Sequence, residues 1–300
     1  MNPAPASTLY LVDASIYVFR AWHSLPEAAF RDSDGEPANA VYGFARFMVE
    51  LLENTRPRHL AVAFDASLES SFRNELYPEY KANRDPAPAP LKRQFAHCME
   101  LVRAMGLTTM IDARHEADDL IGTLAARRRA AGVRCVIVSP DKDLSQLLAE
   151  GDQQWDYARG VRWDRDGVLA RFGVPAERLP DLLGLTGDAV DNIPGVPGIG
   201  PKSAAALLSH FGDLEALLAR VEEVPFLRLR GARSHAQRLR THAAQARLSR
   251  QLATIVCDVP LPEEVGDASV SEPDRAALQG LLDRLRIGPM TRRRLFEALG

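Results

Sequence analysis

The hydrophobic positions of this chain recur at two different intervals. In the first half, short apolar runs rich in β-branched residues stand at Leu9–Val12, Leu60–Phe64, Thr108–Ile111 and Val133–Val138, the pattern of strands buried on both faces. Between them the interval lengthens to that of a helix. Across 41–53 the apolar positions are Val41, Phe44, Ala45, Met48, Leu51 and Leu52, and 91–105 and 116–131 repeat the spacing, with Gly132 as a C-cap after the last. Strands alternating with helices predict an α/β fold, a mostly parallel central sheet flanked by helices. Residues 82–90, Ala-Asn-Arg-Asp-Pro-Ala-Pro-Ala-Pro, read as a surface loop. From Pro180 the pattern is helical and punctuated by Gly and Pro, with one further strand expected at Ala253–Val256. The change of character near 172–180 divides the chain into an α/β part over 1–175, a smaller helical part over 176–265 and an extension over 266–300.

Polar residues at the ends of these runs add chemistry. Three runs lead into an aspartate, Leu-Val-Asp13, Ala-Phe-Asp65 and Val-Ser-Pro-Asp141. Aspartate is common at strand ends as a turn former, which suffices for any one of them. In open α/β sheets, however, ligands bind beyond the carboxyl ends of the strands, so three carboxylates are expected at one edge. Glu116, Asp118 and Asp119 crowd the first turn of a predicted helix, where the helix dipole alone favours acids. Asp141 is followed at once by Asp143, and Asp188 and Asp191 lie in the Gly-rich stretch beyond the boundary. Two unit charges 4 Å apart repel by about 1 kcal/mol in water and about 4 kcal/mol at an effective dielectric near 20. Convergence of such acids therefore calls for cations, and an all-oxygen set without His or Cys selects hard ions such as Mg²⁺ or Mn²⁺. Carboxylate-held metal pairs suit phosphodiester hydrolysis.

Composition narrows the class. With 300 residues, 46% hydrophobic and 26% charged, the chain is globular, and no apolar run approaches a membrane span. Met1–Ser7 lacks the basic start of a secretory signal. Cys98, Cys135 and Cys257 are few, odd in number and far apart, which points to a reducing cytoplasm and away from a disulfide framework. The net charge of −3 conceals a basic segment: residues 226–250 carry seven arginines and no acid. A negative total thus accommodates a nucleic-acid-binding face beside an acidic site.

Two further stretches bear on that partner. Gly195-Val196-Pro197-Gly198-Ile199-Gly200-Pro201-Lys202-Ser203, before a helix at Ala204–His210, looks like a nucleotide P-loop, but Pro201 spoils the spacing and no strand feeds it. It reads better as a helix–hairpin–helix whose Gly198, Ile199, Gly200, Pro201, Lys202 and Ser203 meet a DNA phosphate at a helix N-terminus. A plain Gly/Pro turn between two helices is the alternative. Phe72-Arg73-Asn74-Glu75 through Tyr80-Lys81-Ala82-Asn83-Arg84 interleaves aromatic with basic residues, as suits a stacked single strand, although an amphipathic surface helix looks similar. His115 and His210 read as packing or surface residues, and Trp155 and Trp163 as core.

Together these motifs resemble the 5′ nuclease family, which includes the 5′-3′ exonuclease domain of bacterial DNA polymerase I, phage 5′ exonucleases and flap endonucleases. The likeness runs from about Leu9 to Leu261 through Leu-Val-Asp13 to Arg20, Ala40-Val-Tyr-Gly-Phe44, Val62-Ala-Phe-Asp65, Phe72-Arg73, Tyr80-Lys81 with Arg84, Glu116-Ala-Asp118-Asp119, Asp141-Lys-Asp143-Leu, Gly187-Asp188-Ala-Val-Asp191-Asn192 and Gly195 to Lys202. The resemblance implies a catalytic α/β domain with an arch at about 72–95, and a helical DNA-binding domain with its hairpin at about 187–210. It implies a two-metal site for Mg²⁺, with Mn²⁺ able to substitute, on Asp13, Asp65, Glu116, Asp118, Asp119, Asp141, Asp143, Asp188 and Asp191. It assigns Arg20, Lys81 and Arg84 to the scissile phosphate, Tyr80 to stacking on the terminal nucleotide and Arg73 to DNA. It places a monovalent cation, K⁺, on backbone carbonyls at Leu185, Thr186, Pro194, Val196 and Ile199. Ala14 stands where the family usually has Gly, and Pro140 where it has a small, flexible residue; neither change removes a ligand. The chain ends at Gly300 without a polymerase-like segment, which reads as a free-standing nuclease or a fragment. The implied function is hydrolysis near the 5′ ends of flapped or nicked duplex DNA by a cytoplasmic monomer. A DNA-binding protein without catalysis and an RNA-directed nuclease are the alternatives.

Overall fold

A computed structural model describes residues 8–66 and 71–300; the N-terminal stretch Met1–Ser7 lies outside the described residues. In chain order the elements begin with β1 (Thr8–Asp13), α1 (Ala14–Ser24), α2 (Asn39–Thr55), β2 (His59–Asp65), α3 (Phe72–Leu76), α4 (Ala89–Ala104), β3 (Thr108–Asp112), α5 (Ala117–Arg129) and β4 (Arg134–Val138). There follow β5 (Gln153–Asp156), β6 (Val161–Trp163), α6 (Arg165–Phe172), α7 (Leu179–Thr186), α8 (Pro201–Phe211), α9 (Leu214–Ala219), α10 (Ala232–Thr241), α11 (Ala243–Ala253), α12 (Arg275–Arg284) and α13 (Pro289–Leu299). Two compact units are built from interleaved stretches. Residues 8–66, Pro86–Ser139 and Cys257–Gly300 form the first; residues 71–85 and Pro140–Val256 form the second, which holds both sides of the composition change near 172–180.

The first unit is an α/β layer structure. Its strands run parallel in the order β3-β2-β1-β4, with Leu11 level with Ala61 of β2 and with Ile137 of β4. Leu9, Leu11 and Val12 of β1 are wholly buried and Tyr10 half-buried, as the apolar run requires of a strand covered on both faces. The helix α2 turns Val41, Phe44, Met48, Leu51 and Leu52 inward, the stripe its spacing predicts. The helix predicted to end at Gly132 closes at Arg129, and Gly132 takes up the left-handed turn (φ 77°) that releases the chain into β4.

The second unit is mainly helical. It also holds the antiparallel pair β5 and β6, two short strands that the sequence pattern does not announce. No strand forms at Ala253–Val256: α11 runs to Ala253, and Arg73 takes the carbonyls of Leu252 and Thr254. Residues 85–88 carry no regular structure before α4, as their prolines require. No helix among the described residues is long and apolar enough to cross a membrane.

Candidate functional site

In the first unit, Asp13 and Asp65 are the last residues of adjacent strands, so both carboxylates leave the sheet at one edge. The strand order changes direction between β1 and β4, and that crevice is where open α/β sheets bind ligands. Asp13 is buried there and accepts a 2.9 Å hydrogen bond from Oγ of Ser139, the residue after β4. The Asp65 amide donates to Ser15 Oγ at 3.3 Å, and its Oδ1 accepts the amide of Ala117 at 2.9 Å. That second bond ties the end of β2 to the start of α5, whose unpaired N–H groups favour negative charge.

Two of the acids at the start of α5, Glu116 and Asp119, cap it reciprocally, each side chain accepting the other's main-chain amide. Glu116, at the N-cap, and Asp118 are half-buried. Asp119 is fully buried, and its Oδ2 accepts the Glu116 amide at 3.1 Å, so it closes the helix end. A fourth strand-end acid, Asp112 on β3, escaped the sequence reading. Its Oδ1 accepts the amides of Arg114 and His115, each at 2.8 Å, and faces His115 Nδ1 at 2.9 Å. Burial opposes its charge, but these partners outweigh burial and hold its carboxyl below the usual range. Asp112 thus shapes the turn into α5 and anchors His115. Arg20 projects from the exposed side of α1, the helix that starts directly after Asp13.

The second unit gathers the other four acids. Asp141 and Asp143 flank Lys142, and the Asp143 amide donates to Asp141 Oδ1 at 3.0 Å. Burial raises the Asp143 carboxyl well above its ordinary range, and repulsion from Asp141 adds to it. Burial likewise raises Asp141, helped by Asp191 and opposed by the Asp143 amide, Lys81 and Lys142. Lys142 Nζ donates to Asp188 Oδ2 at 2.5 Å. Asp188 Oδ1 accepts the amide of Val190, and its main chain bridges to Ile193 in both directions, closing a tight loop. Asp191 pairs with the Arg84 guanidinium, accepts the Tyr80 hydroxyl at 3.3 Å and lies 3.9 Å from Lys81 Nζ. Lys81 adopts φ 55°, and its amide donates to the Asp191 carbonyl, so loop and basic turn are stitched through main chain as well.

Two residues assigned to DNA lie inside the protein. Arg73 is 2% exposed, and its guanidinium donates to the carbonyls of Leu252 and Thr254 at 2.9 and 3.0 Å. Tyr80 is 3% exposed and packs with Leu183, Ile193, Leu252 and Ala253. Neither side chain is open to a nucleotide; alternating aromatic and basic residues look alike whether they face water or, as with Arg73, a helix 179 residues further on. Trp155 and Trp163 are half-buried rather than core: the Arg162 guanidinium covers the Trp155 ring at 3.7 Å, and Trp163 donates to Ser145 Oγ at 3.1 Å.

The glycine-rich stretch folds as a hairpin before α8. Gly187 and Gly195 approach so closely that a Cβ on Gly195 would stand 2.2 Å from the Gly187 nitrogen. The Gly195 amide donates to Ser249 Oγ at 2.9 Å, fixing the hairpin on α11. Gly198 takes φ 77° and gives its carbonyl to Arg238 Nη1 at 2.7 Å. Gly200 caps α8, Pro201 opens it, Lys202 is exposed and Ser203 half-buried. Ile199 is buried, so only its main chain can meet a ligand. Of the carbonyls assigned to a monovalent cation, Leu185 accepts from the Val196 amide and Val196 from the Ile199 amide, while Thr186 uses its hydroxyl on the Gly187 carbonyl.

Whether a cation suits these acids turns on one atom. Among the described residues no three His, Cys, Asp or Glu side chains form a ready-made metal cage. Yet Asp143 Oδ1 is buried and accepts no hydrogen bond among those residues. A buried carboxylate oxygen without a donor is costly unless a cation meets it, so the Asp141–Asp143 set fits a hard divalent ion.

Comparison with known proteins defines first the class and then the family. Residues 8–173 match the 5′-3′ exonuclease N-terminal resolvase-like domain, and residues 174–276 match the 5′-3′ exonuclease C-terminal SAM fold. The chain belongs to the 5′-3′ exonuclease family, whose members are hydrolases of DNA phosphodiester bonds. It is 41% identical over 293 residues to DNA polymerase I of Rhizobium leguminosarum, covering 95% of this chain and 28% of that protein. It is 43% identical over 286 residues to DNA polymerase I of Pseudomonas aeruginosa, covering 95% and 31%. The chain therefore spans roughly three-tenths of the length of these relatives. In fold it is similar to T5 5′-exonuclease with bound divalent zinc, at TM-score 0.68 and 21% identity over 98% of this chain and 100% of that one. It is also similar to the catalytic core of Rad2 in complex with DNA substrate, at TM-score 0.66 and 15% identity over 98% and 93%.

Proposed function

We propose that this chain is a divalent-metal-dependent 5′ nuclease that hydrolyses DNA near the 5′ ends of flapped or nicked duplexes. The observation that carries the reading is Asp143 Oδ1, a buried carboxylate oxygen left without a donor beside Asp141. In this reading Mg²⁺ is the resident ion, two ions are held and Mn²⁺ substitutes. When bound, such ions supply Lewis acidity toward the scissile phosphodiester and its attacking water. Asp13, Asp65, Glu116 and Asp118 serve as ligands in the first unit, with Asp119 holding the α5 terminus that presents two of them. Asp141, Asp143, Asp188 and Asp191 serve in the second. Lys81 and Arg84, which neutralise Asp191 in the free protein, turn to substrate phosphate when DNA arrives. Arg20 adds a cation from α1.

The hairpin at 198–203 holds duplex backbone through the main chain of Gly198–Gly200 and the charge of Lys202. K⁺ on the carbonyls around Leu185–Ile199 belongs to the same reading, as does action as a monomer in the cytoplasm. Incubation of the purified chain with 5′-flap DNA, RNA and hybrid substrates in Mg²⁺ or Mn²⁺ tests it. Release of short 5′ products from DNA is expected. Binding without cleavage in either metal would leave a DNA-binding protein, and preference for RNA would redirect the assignment.

A further inference from the structure

The hairpin and the carboxylates leave one part of the second unit unexplained. The segment Phe226-Leu227-Arg228-Leu229-Arg230-Gly231-Ala232-Arg233 carries three cations and no acid. Phe226 is 88% exposed, and Arg228, Arg230 and Arg233 are exposed as well. Leu227 and Leu229 are half-buried, so exposure alternates with a period of two along 226–230. Leu227 has extended backbone, its amide held by the Val224 carbonyl, and the Leu229 carbonyl is held by the Ala232 amide. Held through its leucines, the segment leaves an aromatic ring and two guanidinium groups exposed close together along the chain.

The neighbouring acids do not quench this charge. Glu223 is taken by Arg220, Glu222 by Arg240, and Glu215 by Arg247 and Arg250. Arg238 is engaged by the Gly198 carbonyl. Among the described residues no carboxylate pairs with Arg228, Arg230 or Arg233. An unpaired cation row calls for a polyanion, and a freely exposed ring beside it calls for a π-face. The bases of a duplex are stacked on one another and have none to offer, whereas an unpaired base has.

We propose that residues 226–233 form a binding surface for single-stranded DNA, with Phe226 as stacking platform and Arg228, Arg230 and Arg233 as phosphate contacts. The proposal rests on the reading that the chain acts on DNA, and it assigns the unpaired part of the substrate to a surface other than the hairpin.

The test is fluorescence anisotropy of the full chain in EDTA, which prevents cleavage, with a labelled oligothymidine and a labelled duplex of equal length as probes. Phe226→Ala should weaken oligothymidine binding at least about fivefold and leave the duplex within about twofold, while Phe226→Trp should restore it. The triple variant R228A/R230A/R233A should flatten the dependence of log affinity on log salt for the single strand by about 2, since three phosphate contacts are lost. Phe226 packs on nothing that its exposure would show, so its variants should melt with the wild type. Unchanged single-strand affinity and salt slope, or equal losses on single strand and duplex, would overturn the proposal. Wild-type protein that binds neither probe would overturn the nuclease reading as well; wild-type binding with indifferent variants would overturn this surface alone.

Discussion

Lys142 Nζ donates to Asp188 Oδ2 across 2.5 Å, joining the residue between half-buried Asp141 and buried Asp143 to the loop that enters the hairpin. The contact spans 46 residues of sequence and turns two local motifs of the second unit into one charged network. With Lys81 and Arg84 on Asp191, each acid of the Asp188–Asp191 loop has a cation of its own.

This pair makes stability sensitive to alkaline pH. Burial works against the charge on Lys142, but the bond to Asp188 and the nearby Asp143 and Asp141 outweigh it, so its pKa is raised. A raised cation stabilises the fold fully below its unfolded pKa, near 10.4, and that contribution fades as pH climbs through the higher folded value. Thermal melts from pH 9 to 12 should show a steeper loss in wild type than in Lys142→Met. Parallel curves would mean that solvent screens the pair.

Asp143 makes the opposite demand. Burial and Asp141 raise its pKa, so the fold favours its protonated form. Metal-free stability from this group is present below the ordinary aspartate range near 3.9 and is lost as pH rises through the folded value. Mg²⁺ should therefore raise Tm more at pH 8 than at pH 5. Asp143→Asn should raise metal-free Tm, abolish most of the Mg²⁺ response and lower cleavage by roughly 100-fold or more, with DNA affinity little changed.

Arg73→Ala should act on stability and not on DNA. Its guanidinium satisfies the carbonyls of Leu252 and Thr254 from a buried position, and truncation leaves both without that donor. A loss of about 3 kcal/mol in unfolding free energy is expected from urea titration. The folded fraction should bind flap DNA as wild type does; a large affinity loss at full folding would return Arg73 to the substrate.

Gly198→Ala probes the hairpin. The left-handed backbone costs an alanine about 1–2 kcal/mol, and its Cβ would stand 1.9 Å from Arg238 Nη1. Duplex affinity should fall about tenfold or more if displacing Arg238 distorts the phosphate-facing loop. Adding Arg238→Ala should recover part of the loss by clearing the space. Losses that simply add would separate the two residues.

Much of the frame was legible because its causes are local. The runs Leu9–Val12 and Leu60–Phe64 are too apolar to lie anywhere but the middle of a covered sheet, and β1 and β2 form there. Asp13 and Asp65 end those strands, so parallel pairing alone brings them to one edge. Gly187, Gly195 and Gly198 all adopt positive φ in the hairpin the spacing suggested. The pair β5 and β6 was not legible, since strands of four and three residues whose buried positions are Gln154 and Asp156 carry no hydrophobic period that rises above the loops around them.

What the tertiary structure decided is which side of an ambiguous residue faces in. Arg73 and Tyr80 sit in a segment whose alternation of basic and aromatic residues suits a DNA surface or a core contact equally well. The answer came from Leu252 and Ala253, which pack with Tyr80, and from the carbonyls of Leu252 and Thr254, which accept from Arg73, all far along the chain. Asp119, expected from the sequence as a ligand, also accepts the Glu116 amide at the start of α5, a capping contact visible only in the folded chain. Sequence by itself determined the parallel strands of the first unit, the acids Asp13 and Asp65 at their ends and the glycine hairpin, because backbone preference and hydrophobic period act over a few residues. Burial, and the pairing of one charge with another, depends on contacts between distant segments, and only the folded chain supplies those.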